Sequence, residues 1–283
     1  MHIAIARLSR RRQRGFVLLT VLWMGLGLLL AASSYLVTQR QVVLSTRAEL
    51  ETSRAVELAR SAVNVALADL GRSDENAPRT LRDGTPMTLT MAEGRATYRI
   101  WDEGGKLDIN HAPTQLLVPM LRHLGENSGI DAFDAATIAQ AIVSQRGDGQ
   151  VAENMQPLPQ LLTSLGLPQD ASRRARQSLT TYSGTAQINL ATASASVLAA
   201  VPGIGPGDVR MILDRRRNGM SLPQLGTATV WLGGAEAPVF TIEAQGILAS
   251  GVTADIVATV APMGLSFRGS KTHYEILGVE ILR

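Results

Sequence analysis

The chain contains no cysteine, which removes disulfides and thiolate metal sites from its repertoire. Aromatic residues make up only 4% of it, so Leu, Ile, Val and Ala must fill whatever core forms. Acidic residues are missing from the start, the first being Glu49, and no residue of either charge lies between Gly15 and Gln39. Proline is absent from Phe16 to Leu70. The histidines His2, His111, His123 and His273 show no metal-ligand spacing, and there is no Gly-x-Ser-x-Gly elbow and no Walker phosphate loop. No enzyme is expected from this set of residues.

What the sequence does contain begins with an apolar run. As a helix, Phe16 to Leu36 rises about 31 Å, enough to cross the hydrocarbon core of a bilayer. Arg7, Arg10, Arg11, Arg12 and Arg14 precede it. Positive charge on that side predicts a cytoplasmic N-terminus, with the C-terminal bulk on the far side. The same letters also read as a secretory signal cut near Ala31-Ala32-Ser33, which would release a soluble domain. Against that, the run is longer than a signal's apolar core, and Leu30 stands where a small residue is preferred.

With 283 residues, 45% of them hydrophobic, the chain can bury a sizeable core and has room for two compact parts beyond the helix. The sequence pI near 9.7 invites a nucleic-acid reading. Five of the 27 Lys and Arg residues precede Gly15, however, and without them 22 basic residues face 24 acidic ones. Whole-chain charge therefore gives DNA binding little support.

Beyond Gln39, Ala55, Leu58, Ala59, Ala62, Val65 and Ala66 follow helical spacing, with Glu57, Arg60, Ser61 and Asn64 between them. One helix from Phe16 to Leu70 is expected, about 80 Å long. Gly71 to Pro86 reads as a loop. Thr85 to Met91 and Arg95 to Trp101 read as a hairpin, and Pro238 to Leu248, Val252 to Val260 and Tyr274 to Leu282 as three more strands. The interval between the two strand groups looks helical, with pieces at Ile138 to Arg146, Leu158 to Leu165, Ala171 to Leu179 and Val209 to Arg217. It holds a weak repeat, in which Leu107-Asp108-Ile109-Asn110-His111-Ala112-Pro113 aligns with Ile188-Asn189-Leu190-Ala191-Thr192-Ala193-Ser194. Asn110 and Thr192 are the candidate caps or Asx-turn residues, and Pro113 suits a first helical turn.

The second copy runs on through Pro202-Gly203-Ile204-Gly205-Pro206 and resembles a helix-hairpin-helix module. In such a hairpin, backbone N–H groups at Gly203 and Gly205 can contact a phosphate. The simpler alternative is that the two glycines only let the helices turn tightly. Arg215, Arg216 and Arg217 are expected to form a solvated helix end rather than a phosphate clamp. Asp102, Glu103 and Asp108 flank Gly104-Gly105 and define a conceivable calcium site, the alternative being a solvated turn. No other cofactor is expected. Asp69, Asp74, Glu75 and Asp83 are acidic in the same unspecific way.

Arg14-Gly15-Phe16 followed by the apolar run resembles the type IV pilin and pseudopilin class. That resemblance implies cleavage between Gly15 and Phe16 by prepilin peptidase, methylation of the new N-terminal Phe16, and retention of the membrane helix. The class ordinarily has Glu at the fifth mature residue, where this chain has Thr20, and lacking that Glu is typical of the K-type minor pseudopilin of type II secretion systems. Trp101-Asp102-Glu103-Gly104-Gly105-Lys106-Leu107 with Asn110, Gln145-Arg146-Gly147-Asp148, Leu158 to Leu162, Thr181-Tyr182-Ser183 and Phe240 to Gly246 are similar to that family's segments and follow its order. Ala191, Gln145 and Gly147 depart from its pattern.

The resemblance implies an α+β fold with a long N-terminal transmembrane and stalk helix packed on a pilin-like antiparallel sheet. A large all-α, helix-hairpin-helix-like insertion completes it. The implied parts are a leader over 1–15, a transmembrane helix over 16–37, a stalk helix over 38–70, a discontinuous pilin-like domain over 71–103 and 236–283, and a helical domain over 104–235. Implied too are a single-pass bacterial inner-membrane protein with a periplasmic C-terminal domain, and a place at the tip of the periplasmic pseudopilus, whose assembly it helps to initiate. Its partners would be the I- and J-type minor pseudopilins, the major pseudopilin, prepilin peptidase and the inner-membrane assembly platform. Nucleic acid is not an expected partner, but a membrane-anchored DNA receptor using residues 202–217 is the alternative function.

Overall fold

A computed structural model of the chain describes residues 13–72, 81–126, 134–146, 169–263 and 273–282. The expected helical piece at Leu158 to Leu165, most of the leader and acidic residues Asp74 and Glu75 lie outside these residues. The fold is α+β, with one long apolar N-terminal helix and an antiparallel sheet. The chain divides into two compact units, Met1–Ser53 and Arg54–Arg283.

In the first unit the described residues belong to helix α1, which spans Gln13–Leu70. Nothing in this stretch breaks a helix, since it has neither proline nor close like charges before Glu49. Its apolar side chains are exposed, with Phe16, Leu18, Leu22, Trp23 and Leu29 each more than half exposed. From Phe16 onward the helix is long and apolar enough to cross a membrane.

In the second unit the last turns of α1 bury Ala55, Leu58, Ala59, Ala62, Val63, Ala66 and Leu70. Val65, expected on this face, is 39% exposed and Val63 takes its place. The buried arc is set by 55, 58, 59, 62, 66 and 70; at 100° per residue positions 63 and 65 lie about 20° beyond its two opposite edges, so periodicity alone does not choose between them.

Against that stripe lies a five-stranded sheet in the order β1 (Met87–Met91), β2 (Gly94–Asp102), β5 (Phe240–Leu248), β6 (Thr253–Pro262) and β7 (Tyr274–Leu282), every neighbour antiparallel. The expected strands are all present, with ends shifted by two residues or fewer. Register places Ile100 beside Ile242 and Ile242 beside Ala258, so one face is a continuous apolar surface. Alternate residues Thr241, Glu243 and Gln245 face the other side, as the period of two requires.

Helix and sheet meet through small groups. A Cβ built on Gly246 would lie 2.1 Å from the Ala55 carbonyl oxygen and 2.8 Å from the Ala59 nitrogen, both backbone atoms that cannot swing aside. With alanines on the helix and glycine on the strand, the two backbones approach more closely than larger side chains allow.

Between β2 and β5 the chain forms β3 (Leu107–Asp108), α2 (Thr114–Glu126), α3 (Ala135–Gln145), α4 (Gln169–Ser178), β4 (Leu179–Thr180), α5 (Ala195–Ala200) and α6 (Pro206–Arg217). These elements pack around a second core that includes Leu116, Leu117, Leu121, Leu198 and Ile212. Strands β3 and β4 pair in parallel, Leu107 beside Leu179.

Gly246→Ala is expected to destabilise the chain by about 1–3 kcal/mol, because neither backbone yields without shifting the helix. Gly278→Ala, with open space around the added carbon, serves as control and should change little. Denaturant midpoints of the full chain in detergent measure both.

Candidate functional site

Gly15 and Phe16, the expected processing positions, lie in the helical backbone near the start of α1, and Phe16 is 69% exposed. The Thr20 hydroxyl donates within the helix to the carbonyls of Phe16 at 3.0 Å and Val17 at 2.9 Å. This answers its own hydrogen-bonding need inside the span, where an unpaired polar group is costly.

The three carboxylates of the Asp102–Asp108 turn are buried, and each is engaged by different protein donors. Asp102 Oδ1 accepts from the backbone N–H of Gly104 and of Ala237, both at 2.9 Å. Its Oδ2 accepts from Asn189 Nδ2 at 3.0 Å and from the Thr192 hydroxyl at 2.6 Å. Glu103 pairs with buried Lys106 and accepts from the hydroxyls of Thr241 and Thr180. Asp108 accepts from the backbone N–H of Asn110 and Gly184 and from the Ser183 hydroxyl. These bonds occupy the oxygen lone pairs that a calcium ion would need. Among the described residues no group of three or more His, Asp or Glu side chains is arranged to hold a metal ion.

Burial pushes the Asp102 carboxyl above its ordinary value near 3.8, while Thr192, Gly104, Ala237 and Asn189 pull it back. Gly104 and Gly105 are required here by close approach. A Cβ at Gly104 would sit 2.6 Å from the Ala235 carbonyl oxygen, and one at Gly105 would sit 2.7 Å from the Thr192 carbonyl carbon.

The sequence repeat has a structural counterpart. Asp108 caps the first turn, accepting from Asn110 N–H, and Asn189 caps the second, accepting from Ala191 N–H at 3.0 Å. Asn110 and Thr192, expected in that role, do not fill it: Asn110 Oδ1 is buried without a partner, and the Thr192 hydroxyl is given to Asp102. The reason is geometric, since an Asx turn is closed by the residue two positions before the N–H it captures. Helix α5 is capped instead by Ser194, which accepts from Val197 N–H.

Each turn is then held by an arginine fork. Arg146 donates to the carbonyls of Ile109 and Ala112, and Arg216 to those of Leu190 and Ala193. Ile109 and Leu190 are aligned in the repeat, as are Ala112 and Ala193. The expectation of a solvated end for Arg215 to Arg217 is therefore corrected at its centre. Arg217 is exposed, but the Arg216 side chain is only 4% exposed. Burial pulls the Arg216 guanidinium down to about 10, opposed by Asp83 at 3.9 Å, and it stays charged at neutral pH. A planar fork reaching two fixed carbonyls is what arginine supplies and lysine does not.

At the hairpin, Gly203 has φ +89°, the left-handed region that favours glycine. Gly205 caps α6, and its N–H donates to Asp208 Oδ2 at 2.9 Å. A carboxylate from the same helix thus sits where an anionic phosphate would have to come, and repels it.

Beneath α4, the polar face of the sheet forms two clefts of about 330 and 290 Å³. Gln177 reaches Glu243 at 3.0 Å, Arg173 lies 3.5 Å from Asp255, and Arg176 lies 2.5 Å from Glu280. These contacts join α4 to strands β5, β6 and β7 by polar links rather than by an apolar core.

Compared with models of protein families and with curated proteins, the chain matches none. What stands without comparison is an α+β protein with one N-terminal helix able to span a membrane once. The forks at Arg146 and Arg216 were not visible to sequence reasoning. The signal that could have found them is an arginine closing the second helix of each repeat.

Arg216→Lys is expected to cost about 2–3 kcal/mol through the lost fork, against about 0.5 kcal/mol for exposed Arg217→Lys. Chemical unfolding of the full chain in detergent checks this. A second expectation concerns pH. Because the folded Asp102 holds its proton more tightly than the unfolded one, it binds more protons when native, so its contribution to stability falls as pH rises from near 3.8 through the raised folded value. The stability margin of the wild type over Asp102→Asn should accordingly be larger at acid than at neutral pH, and a margin that widens with rising pH would contradict the assignment.

Proposed function

We propose that the chain is a K-type minor pseudopilin of a type II secretion system, standing at the tip of the periplasmic pseudopilus. The observation that carries this is the basic leader ending in Gly15-Phe16, followed by a proline-free helix whose last turns pack through alanines on an antiparallel sheet. Prepilin peptidase cuts between Gly15 and Phe16 and methylates Phe16. Because the cut falls ahead of the apolar run, the helix stays in the product and holds the subunit in the inner membrane, N-terminus cytoplasmic and sheet domain periplasmic.

Extraction from the membrane into a filament replaces lipid around Phe16 to Leu50 by the helices of other subunits. Thr20 has no charge to offer a neighbour's N-terminal ammonium, and its hydroxyl is already used within its own helix. A subunit at the end of a filament, with none stacked above it, does not need that pairing. The helical elements between β2 and β5 add bulk that suits a terminal position. The I- and J-type minor pseudopilins are its partners in initiation, followed by the major pseudopilin.

The DNA-receptor reading loses support at the hairpin, where Asp208 occupies the Gly205 N–H. Duplex DNA should not be retained by the protein even at low salt. The mature N-terminus tests the main reading. A mass starting at N-methylated Phe16, abolished when Gly15 is replaced by Val, is the expected result. Product beginning near Ser33 would instead identify a discarded signal. Co-purification with I- and J-type subunits from membranes tests the partners.

A further inference from the structure

Strand β7 is a sheet edge without most of the features that keep edges from pairing. Natural edges are commonly short, or guarded by lysine or proline. The opposite edge, β1, is five residues long, whereas β7 has nine, with no Lys, Arg or Pro among them. It exposes Ile276, Leu277, Val279 and Ile281 at 39–53%. Its one irregularity lies opposite Thr259/Val260, and from Gly278 to Leu282 it pairs in regular register with β6. Among the described residues only β6 flanks it, so within them its outer row of backbone groups has no strand partner.

Side chains show how the edge continues the core. Val279 and Ile281 stand beside Ala258 and Ile256, which are at most 2% exposed on the face that α1 covers. One strand further out, that apolar face is open. Two carboxylates set the charge of the edge. Glu280 is held by Arg176, while Glu275 has no ion-pair partner among the described residues.

We propose that β7 is a docking edge that takes one extended strand of a sister subunit as the sixth strand of the sheet, with Lys or Arg of that strand opposite Glu275. This rests on the filament-tip reading above. The occupant follows from the surface: a free backbone ladder accepts extended chain, the apolar ledge wants alternate apolar side chains, and the unmatched carboxylate selects a basic one.

The natural absence of cysteine allows a clean test in the full-length protein. Val279→Cys, labelled with a thiol-linked photoreactive group in membranes that contain the sister subunits, should capture one of them through a strand segment bearing Lys or Arg. Adding Ile281→Lys or Glu275→Lys should lower the yield at least fivefold, with the unfolding midpoint unchanged because both positions are exposed. Yield insensitive to these changes, capture of a second copy of this chain, or capture through the sister's N-terminal helix overturns the proposal. Leu29→Cys on the apolar helix separates the two levels. Capture of sisters from Leu29 but not from Val279 sinks the docking edge alone, and capture from neither, together with an unmethylated Phe16, sinks the filament reading as well.

Discussion

The carboxylate of Asp102 draws together parts of the chain that are far apart in sequence. It sits at the end of β2, and its four donors come from the adjacent Gly-Gly turn, from the second Asx turn at Asn189 and Thr192, and from Ala237 just before β5. The strand that leaves the sheet, the helical elements that follow and the strand that returns are thereby tied at one buried point. A buried carboxylate is tolerable only when its lone pairs are filled, which is why every donor must arrive together. The same requirement explains the paired glycines, since any side chain at Gly104 or Gly105 would push the two loops off the carboxylate.

Around that point the helical elements use one construction twice. A turn closed by Asp108 or Asn189 is gripped through two carbonyls by an arginine at the end of a later helix, Arg146 or Arg216. These four carbonyls lie in the turns ahead of the helices, outside their hydrogen-bond ladders, and a buried carbonyl needs a donor. Charge-assisted bonds from a rigid fork meet that need more strongly than neutral ones. The two copies have diverged in the closing residue, acid in one and amide in the other. The acid of the first is balanced by more donors, from Ser183 and Gly184.

Much of this architecture was legible in the sequence because it follows local rules. The strands β5, β6 and β7 announce themselves by β-branched alternation, and the alanine stripe of α1 by its period. The repeat was visible as letters. What escaped was set by contacts across long sequence separations. Asp102 looks like a cation ligand or a solvated turn until Asn189 and Ala237 are placed beside it, and Arg216 looks like a solvated helix end until its partners are known. Val63 and Val65 were exchanged because a stripe's edge is decided by where the sheet stops, which periodicity alone does not tell. Gly203-Ile204-Gly205 reads from its letters as an anion-binding hairpin, yet Asp208, three residues after Gly205, takes up the Gly205 N–H.

The notch at Gly246 has a mechanical consequence. A helix lying on a smooth apolar surface can be dragged lengthwise with little resistance, since each leucine simply trades one greasy neighbour for the next. Here the turn at Ala55 to Ala59 is seated over a strand position that has no side chain, while the next positions on that face of the strand, Ala244 and Leu248, each carry one. Sliding of these last helical turns over the sheet is thus resisted by interlocking backbones.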